Sequence, residues 1–229
     1  MAEQPRLFEF RMGERSPDTL VVSEANRDAA RLLTDWRAWP GGALALAGPK
    51  GSGKTHLALA WAVEVAARQV SPTAAPEDAA AIFRETGGRL FIDDADVARD
   101  EAMLWRVLDM AKADGGAVLL AGASAPRAWI TAVPDLRSRL SALAVATLQE
   151  PDEALMEVVL RRICREQFIL LSDAAAGYLA RRLPRTFAAA RQLAAALDAG
   201  LVKAAKPVTL PAARRALERV QSAWGGGDG

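Results

Sequence analysis

The chain holds a single cysteine, Cys164, so it cannot close a disulfide within itself. A fold without covalent staples suits a reducing compartment, and a cytoplasmic setting is expected. Long hydrophobic runs are missing. No stretch of about 18 uninterrupted apolar residues occurs, and no membrane span is expected. The first ten residues carry Glu3, Arg6 and Glu9 with no apolar core, which is not the pattern of a secretory signal. Charge of one sign is scarce as well: 29 basic against 28 acidic residues leave a net +1. Duplex-DNA binders carry a basic surplus, so DNA as the main partner is disfavoured. Internal repeats are absent.

What is present is apolar mass. Hydrophobic residues make up 51% of 229, enough for a sizeable core and against disorder. That length suits one large domain or a core with a small appendage. Residues 1–16 are polar and mixed and read as a mobile tail. A helix is expected over about 24–38 with Ser23 as its cap, and Pro40-Gly41-Gly42 breaks it. Ala43 to Ala47 reads as a buried strand. Helices are expected at about 54–69, 77–86 and 100–113. Further strands are expected at 90–92, 117–121 and 143–148, with a short helix or turn at 136–140. Strands alternating with helices predict an α/β fold, a parallel sheet flanked by helices, over 17–150. From Glu150 on the pattern changes to helices only, at about 152–167, 172–183, 186–203 and 211–222. These predict a small all-helical domain over 151–223, then a disordered glycine-rich tail at 224–229.

Between the first strand and the helix after it stands Gly48-Pro49-Lys50-Gly51-Ser52-Gly53-Lys54-Thr55, a complete P-loop pattern in the right context. Its glycines let backbone N–H groups turn inward around phosphate oxygens, and the following helix N-terminus adds positive potential. Lys54 would reach the β- and γ-phosphates, and Thr55 would give its hydroxyl to Mg²⁺. An apolar strand ending in Asp93 is the arrangement that holds Mg²⁺ beside such a loop. Asp94, next to it, is placed to orient a water. Trp36, Trp61 and Trp105 read as packing, Cys164 as core, and the pairs Arg161-Arg162, Arg181-Arg182 and Arg214-Arg215 as solvated helix faces.

Several ordered segments resemble the DnaA/Hda family of AAA+ proteins over nearly the whole chain. Val21-Val22-Ser23-Glu24-Ala25-Asn26 resembles the family's opening segment, which packs near the adenine. The P-loop stretch continues into His56-Leu57 as the family's does. Phe91-Ile92-Asp93-Asp94 resembles its Walker B strand. Leu119 to Pro126 is similar to its sensor-1 strand, with Ser124 where Asn or Asp is usual. Asp135-Leu136-Arg137-Ser138-Arg139-Leu140 resembles the segment whose last arginine is an arginine finger. Leu183-Pro184-Arg185-Thr186-Phe187 resembles the start of the lid's sensor-2 helix. The short stretch from Thr55 to Asp93 suggests that one family element is trimmed. Gln4-Pro5-Arg6-Leu7-Phe8 is similar to the peptide by which bacterial proteins dock on the sliding clamp.

The resemblance implies an AAA+ core with a helical lid, holding ADP or ATP with Mg²⁺. It puts Gly48, Pro49, Lys50, Gly51, Ser52, Gly53, Lys54, Thr55, His56, Val22 and Arg185 in the nucleotide-binding set. By residue type alone, His56 reads as packing or surface. Thr55 and Asp93 would hold the metal, Ser124 would be sensor 1, and Gln4, Leu7 and Phe8 would engage the clamp. The implied activity is negative regulation of replication initiation. With the DNA-loaded clamp, the protein would promote hydrolysis of ATP on DnaA, with Arg139 as a finger in trans. Its own hydrolysis, through Asp94, would be weak. DnaA and the clamp's beta subunit are the implied partners, a homo-oligomer is left open, and DNA contact is expected to be indirect or weak. No helix-turn-helix domain follows the lid helices in this sequence, so direct origin recognition is not expected. Two alternatives stay open: a self-acting ATPase of helicase-loader type, and a non-hydrolysing, ADP-bound adapter between clamp and DnaA.

Overall fold

A computed structural model describes residues 22–98, 100–200 and 207–225. Its centre is one sheet of five strands: β1 (Ala43–Ala47), β2 (Arg68–Val70), β3 (Arg89–Ile92), β4 (Ala117–Gly122) and β5 (Ala144–Thr147). The spatial order is β2-β3-β4-β1-β5, and every pairing is parallel. Parallel strands covered on both faces have no side to show water. That is why β1 and β4 are apolar without alternation and buried along their whole length.

Residues of β4 divide between two cores. Val118 and Leu120 join Leu90, Ile92, Phe83, Met103, Val107 and Leu136 on one face. These are covered by α3 (Pro76–Glu85), α4 (Glu101–Asp114) and α5 (Pro134–Ala142). Leu119 and Ala121 point the other way, into Leu44, Leu46, Phe91, Leu57 and Trp61. That face is covered by α1 (Arg27–Thr34) and α2 (Lys54–Val65). A fully buried leucine contributes about 1.5–3 kcal/mol, so the two apolar faces dominate the stability of this unit.

Three local expectations are corrected. The helix expected over 54–69 stops at Val65, where Ala66 turns to φ 54°, and Arg68–Val70 becomes the edge strand β2. Three residues, two of them exposed and polar, carry no periodic signal. β2 and α3 are the elements between α2 and β3. At the first helix, Asn26 rather than Ser23 takes the cap position. Ser23 donates its backbone N–H to Asn26 Oδ1 at 2.9 Å and forms the turn before it. The third concerns the region after Glu150, which is not purely helical: an isolated parallel bridge joins Leu171 to Val208.

The chain divides into two compact units between Gln149 and Glu150. The second holds α6 (Glu153–Glu166), α7 (Asp173–Ala180), α8 (Phe187–Gly200) and α9 (Leu210–Gly225). Here α6 packs on α7 and α8, and α9 packs on α7 and α8. Caps fix two of the helix starts: Asp152 accepts from the Leu155 N–H at 2.7 Å, and Ser172 from the Ala175 N–H at 3.3 Å. Among the described residues, no helix is long and apolar enough to cross a membrane.

Candidate nucleotide site

The loop after β1 curls back on itself because its glycines permit it. Gly51 and Gly53 stand at φ 84° and 98°, in the region that side chains disfavour. Gly48 is needed for space: a Cβ there would lie 2.6 Å from the Leu148 carbonyl oxygen. Gly53 is the cap residue of α2 and no side chain caps it, so the first-turn N–H groups that lack helical partners follow directly on the loop. Lys54, in that first turn, donates its ammonium to the carbonyls of Gly48 at 2.7 Å and Pro49 at 3.0 Å. A lysine at a helix N-terminus opposes the macrodipole, and the loop carbonyls compensate for it. Ser52 is buried, and its Oγ has no hydrogen-bond partner among the described residues. Pro49 and Lys50 are exposed on the rim, and His56 is half-buried in α2.

From β3 comes the acid. Asp93 follows Ile92 directly, and the Thr55 hydroxyl donates to its Oδ2 at 2.7 Å. Two groups separated by 38 residues thus meet at the mouth of the loop. Asp94 is exposed and sits at φ 49°, donating its backbone N–H to Asp93 Oδ1 at 3.2 Å. The donor set fits a nucleoside polyphosphate with a hard cation. It offers a glycine-rich loop running into a helix N-terminus, an ammonium held by carbonyls, an orphaned buried hydroxyl, and a hydroxyl–carboxylate pair of the oxygen type that Mg²⁺ takes.

A residue not singled out from sequence ties this site to β4. Asp96 accepts from the Ala123 N–H at 2.7 Å, bracing the loop after Asp93 against the end of the strand that leads to Ser124. Ser124 is exposed, and its carbonyl accepts from the Trp129 indole at 2.9 Å. Glu101 holds the following loop, accepting from the Thr131 hydroxyl and from the N–H groups of Ala132 and Val133. Those bonds hold its carboxyl below the usual range, the Ala132 N–H being the largest cause.

Arg139 lies elsewhere. Its guanidinium reaches Asp109 at 3.0 Å and Asp135 at 3.2 Å, and it stacks 5.4 Å from the centre of the Trp105 ring. Trp105 in turn donates its indole N–H to Asp135. That bond, with the help of Arg139, lowers the Asp135 pKa. Trp105 therefore supports the arginine rather than merely filling space. Arg139 lines a cavity of about 390 Å³ with Pro40, Gly41 and Ala43, at the N-terminal end of β1. The P-loop leaves the C-terminal end of the same strand. Five residues at about 3.3 Å each separate those ends. Arg139 thus lies near the end of β1 opposite to the one from which Gly48–Thr55 leaves.

Among the other candidates, Val22 is half-buried ahead of α1. Arg185 is exposed in the second unit, between α7 and α8. Gln4, Leu7 and Phe8 fall outside the described residues.

No protein-family model matches the chain. No curated protein matches it either. Solved structures do. Domain III of the Thermotoga maritima replication initiation protein DnaA superposes with a TM-score of 0.69 at 19% identity, over 87% of this chain and 94% of that one. The Thermotoga maritima RuvB Holliday junction branch migration motor gives a TM-score of 0.61 at 24% identity, over 78% of this chain; the match spans only 61% of RuvB. A replication initiator DnaA bound to AMPPCP and single-stranded DNA gives 0.61 at 17% identity, over 89% of this chain and 67% of that one. At such identities the likeness is one of fold: this chain has the P-loop AAA+ core architecture found in DnaA domain III and RuvB.

Proposed function

We propose that the protein binds ADP or ATP with Mg²⁺ at Gly48–Thr55 and Asp93 and regulates replication initiation by promoting hydrolysis of ATP held by DnaA. The observation that carries this reading is the position of Arg139. It is organised by two carboxylates and an indole, yet it stands near the end of β1 away from its own P-loop. A guanidinium held away from its own phosphate loop favours a role toward a γ-phosphate on another molecule. There it would stabilise charge developing on the transferred group, an effect worth about 10³–10⁵ in rate where such fingers act. Asp109, Asp135 and Trp105 would position it. Within this chain, the P-loop N–H groups and Lys54 would grip phosphates, and Thr55 with Asp93 would hold the cation, which screens phosphate charge. Arg185 would sense the nucleotide from the lid, Ser124 would serve as sensor 1, and Gln4, Leu7 and Phe8 would dock on the sliding clamp.

The test is ATP hydrolysis by DnaA, measured with this protein and with or without DNA-loaded clamp. The intact chain is expected to stimulate turnover in a clamp-dependent way. Arg139→Ala should remove on the order of 10³-fold or more of that stimulation. Arg139→Lys should fail too, because an ammonium lacks the planar fork. Leu7→Ala with Phe8→Ala should remove the clamp dependence. Absence of stimulation by the intact protein, or full stimulation by Arg139→Ala, overturns the reading.

A second reading has one observation in its favour. Asp94 keeps a left-handed backbone at the mouth of the site, and strain of this kind clusters where chemistry occurs. A self-acting ATPase would show turnover without DnaA or clamp, abolished in Asp94→Ala. The adapter alternative would bind ADP and link clamp to DnaA with no dependence on Arg139.

A further inference from the structure

In the second unit, Tyr178 of α7 carries two guanidiniums. Arg182 Cζ lies 4.1 Å from the ring centre, and Arg214 Cζ, from α9, lies 5.2 Å from it. The two charges are therefore at most about 9.3 Å apart. Among the described residues, neither arginine comes within 4.0 Å of a carboxylate oxygen. Other arginines of the same unit are paired: Arg161 with Glu157 and Asp173, Arg162 with Glu166, Arg181 with Glu153. Arg215 and Arg219 extend the exposed face of α9, where Glu218 is the acid present. Charge is also distributed unevenly along the chain. From Glu150 on, 12 basic residues meet nine acidic ones, a net +3, while the preceding part has 17 against 19.

A cation over the half-buried Tyr178 ring gains only on the order of 1–2 kcal/mol, and a neutral ring cancels neither guanidinium's charge. It does orient them, leaving their N–H edges for an outside anion. Phosphate takes such edges in pairs. A nucleic-acid strand offers one phosphate per about 3.4 Å of axis, so neighbouring phosphates of one strand can face the pair. The described exposed residues of α9 (Pro211, Arg214, Arg215, Glu218, Arg219, Gln221 and Ser222) are mostly charged or polar, a composition that suits phosphate better than an apolar partner surface. Protein interfaces draw their energy from buried anchors, whereas phosphate contacts need none. We infer that the face built from Arg182, Tyr178 and Arg214, continued by Arg215 and Arg219, binds the phosphodiester backbone of DNA directly. This departs from the indirect or weak contact expected from net charge alone, because the surplus is confined to one unit.

The test is fluorescence anisotropy of labelled duplex and single-stranded DNA titrated with the full chain over a range of salt, without DnaA or clamp. The logarithm of the binding constant should fall linearly with log salt. Each phosphate contact contributes about 0.9 to that slope on duplex DNA and about 0.7 on a single strand. The double variant Arg182→Ala/Arg214→Ala should lower the slope by roughly 1.8 on duplex DNA and roughly 1.4 on a single strand, with unchanged circular dichroism. The corresponding double lysine variant should keep it, because charge alone sets the slope. Arg68→Ala, in the first unit, should leave it unchanged. No binding at low salt, an unaltered slope in the double alanine variant, or equal loss in the lysine variant overturns the inference. The measurement involves no DnaA hydrolysis, so its outcome is separate from that of the proposed regulatory activity.

Discussion

At the scale of single residues, burial sets the chemistry of Cys164. The thiol is fully buried, and desolvation pushes its pKa up to about 12. In the folded protein it should resist thiol reagents at pH 8 and react fully only after denaturation, as a colorimetric thiol assay would read. The linkage has a definite sign. The folded value lies above the unfolded one, so the folded state keeps a proton that the unfolded state gives up. This contribution to stability is complete below about pH 9 and is lost progressively between about 9 and 12. Trp61 is the opposite case, a donor left without a partner. It is 2% exposed, stacked on Trp39 with ring centres 5.2 Å apart, and its indole N–H is unbonded among the described residues. Trp61→Phe removes that unsatisfied donor along with one ring. It should cost less than about 1.5 kcal/mol in chemical denaturation, against about 3–5 for Trp61→Ala.

At the scale of elements, what could be read in the sequence depended on how local its cause was. The P-loop was legible because its glycines, lysine and threonine act within eight consecutive residues. β1 and β4 were legible because burial on both faces leaves an unbroken apolar run. β2 was not, since an edge strand of three residues with Arg68 and Gln69 exposed obtains its structure from pairing with β3. The surroundings of Arg139 were equally hidden. Asp135 is one helical turn away, but Trp105 and Asp109 come from α4, and only packing brings them together. The end of α6 shows a local rule broken. Phe168 takes φ 60° with its ring 97% exposed, where glycine would be expected. The ring gains nothing from packing, and the backbone carries the left-handed cost. Phe168→Gly should therefore stabilise the second unit by about 0.5–1 kcal/mol, the left-handed penalty outweighing glycine's greater entropy loss on folding. A higher melting temperature would confirm it, and a lower one would show that the ring has a use.

At the scale of the whole molecule, the two units divide the candidate roles. The first carries the phosphate loop, Asp93 and Arg139; the second carries Arg185 and the arginine–tyrosine face. The strand order also governs how the first unit is made. β1 has no partner among the strands that follow it immediately. Leu44 pairs with Leu119 on one side and Ala144 on the other, while β2 and β3 join each other farther out. A chain emerging from the ribosome therefore displays its phosphate loop long before that loop has a sheet to stand on. Contacts so distant in sequence close slowly. Nucleotide cannot template the early steps, because the strand that aims the loop is clasped only when β4 and β5 have been synthesised. On the proposed reading, a nucleotide would find its loop aimed only after β4 and β5 have closed on β1.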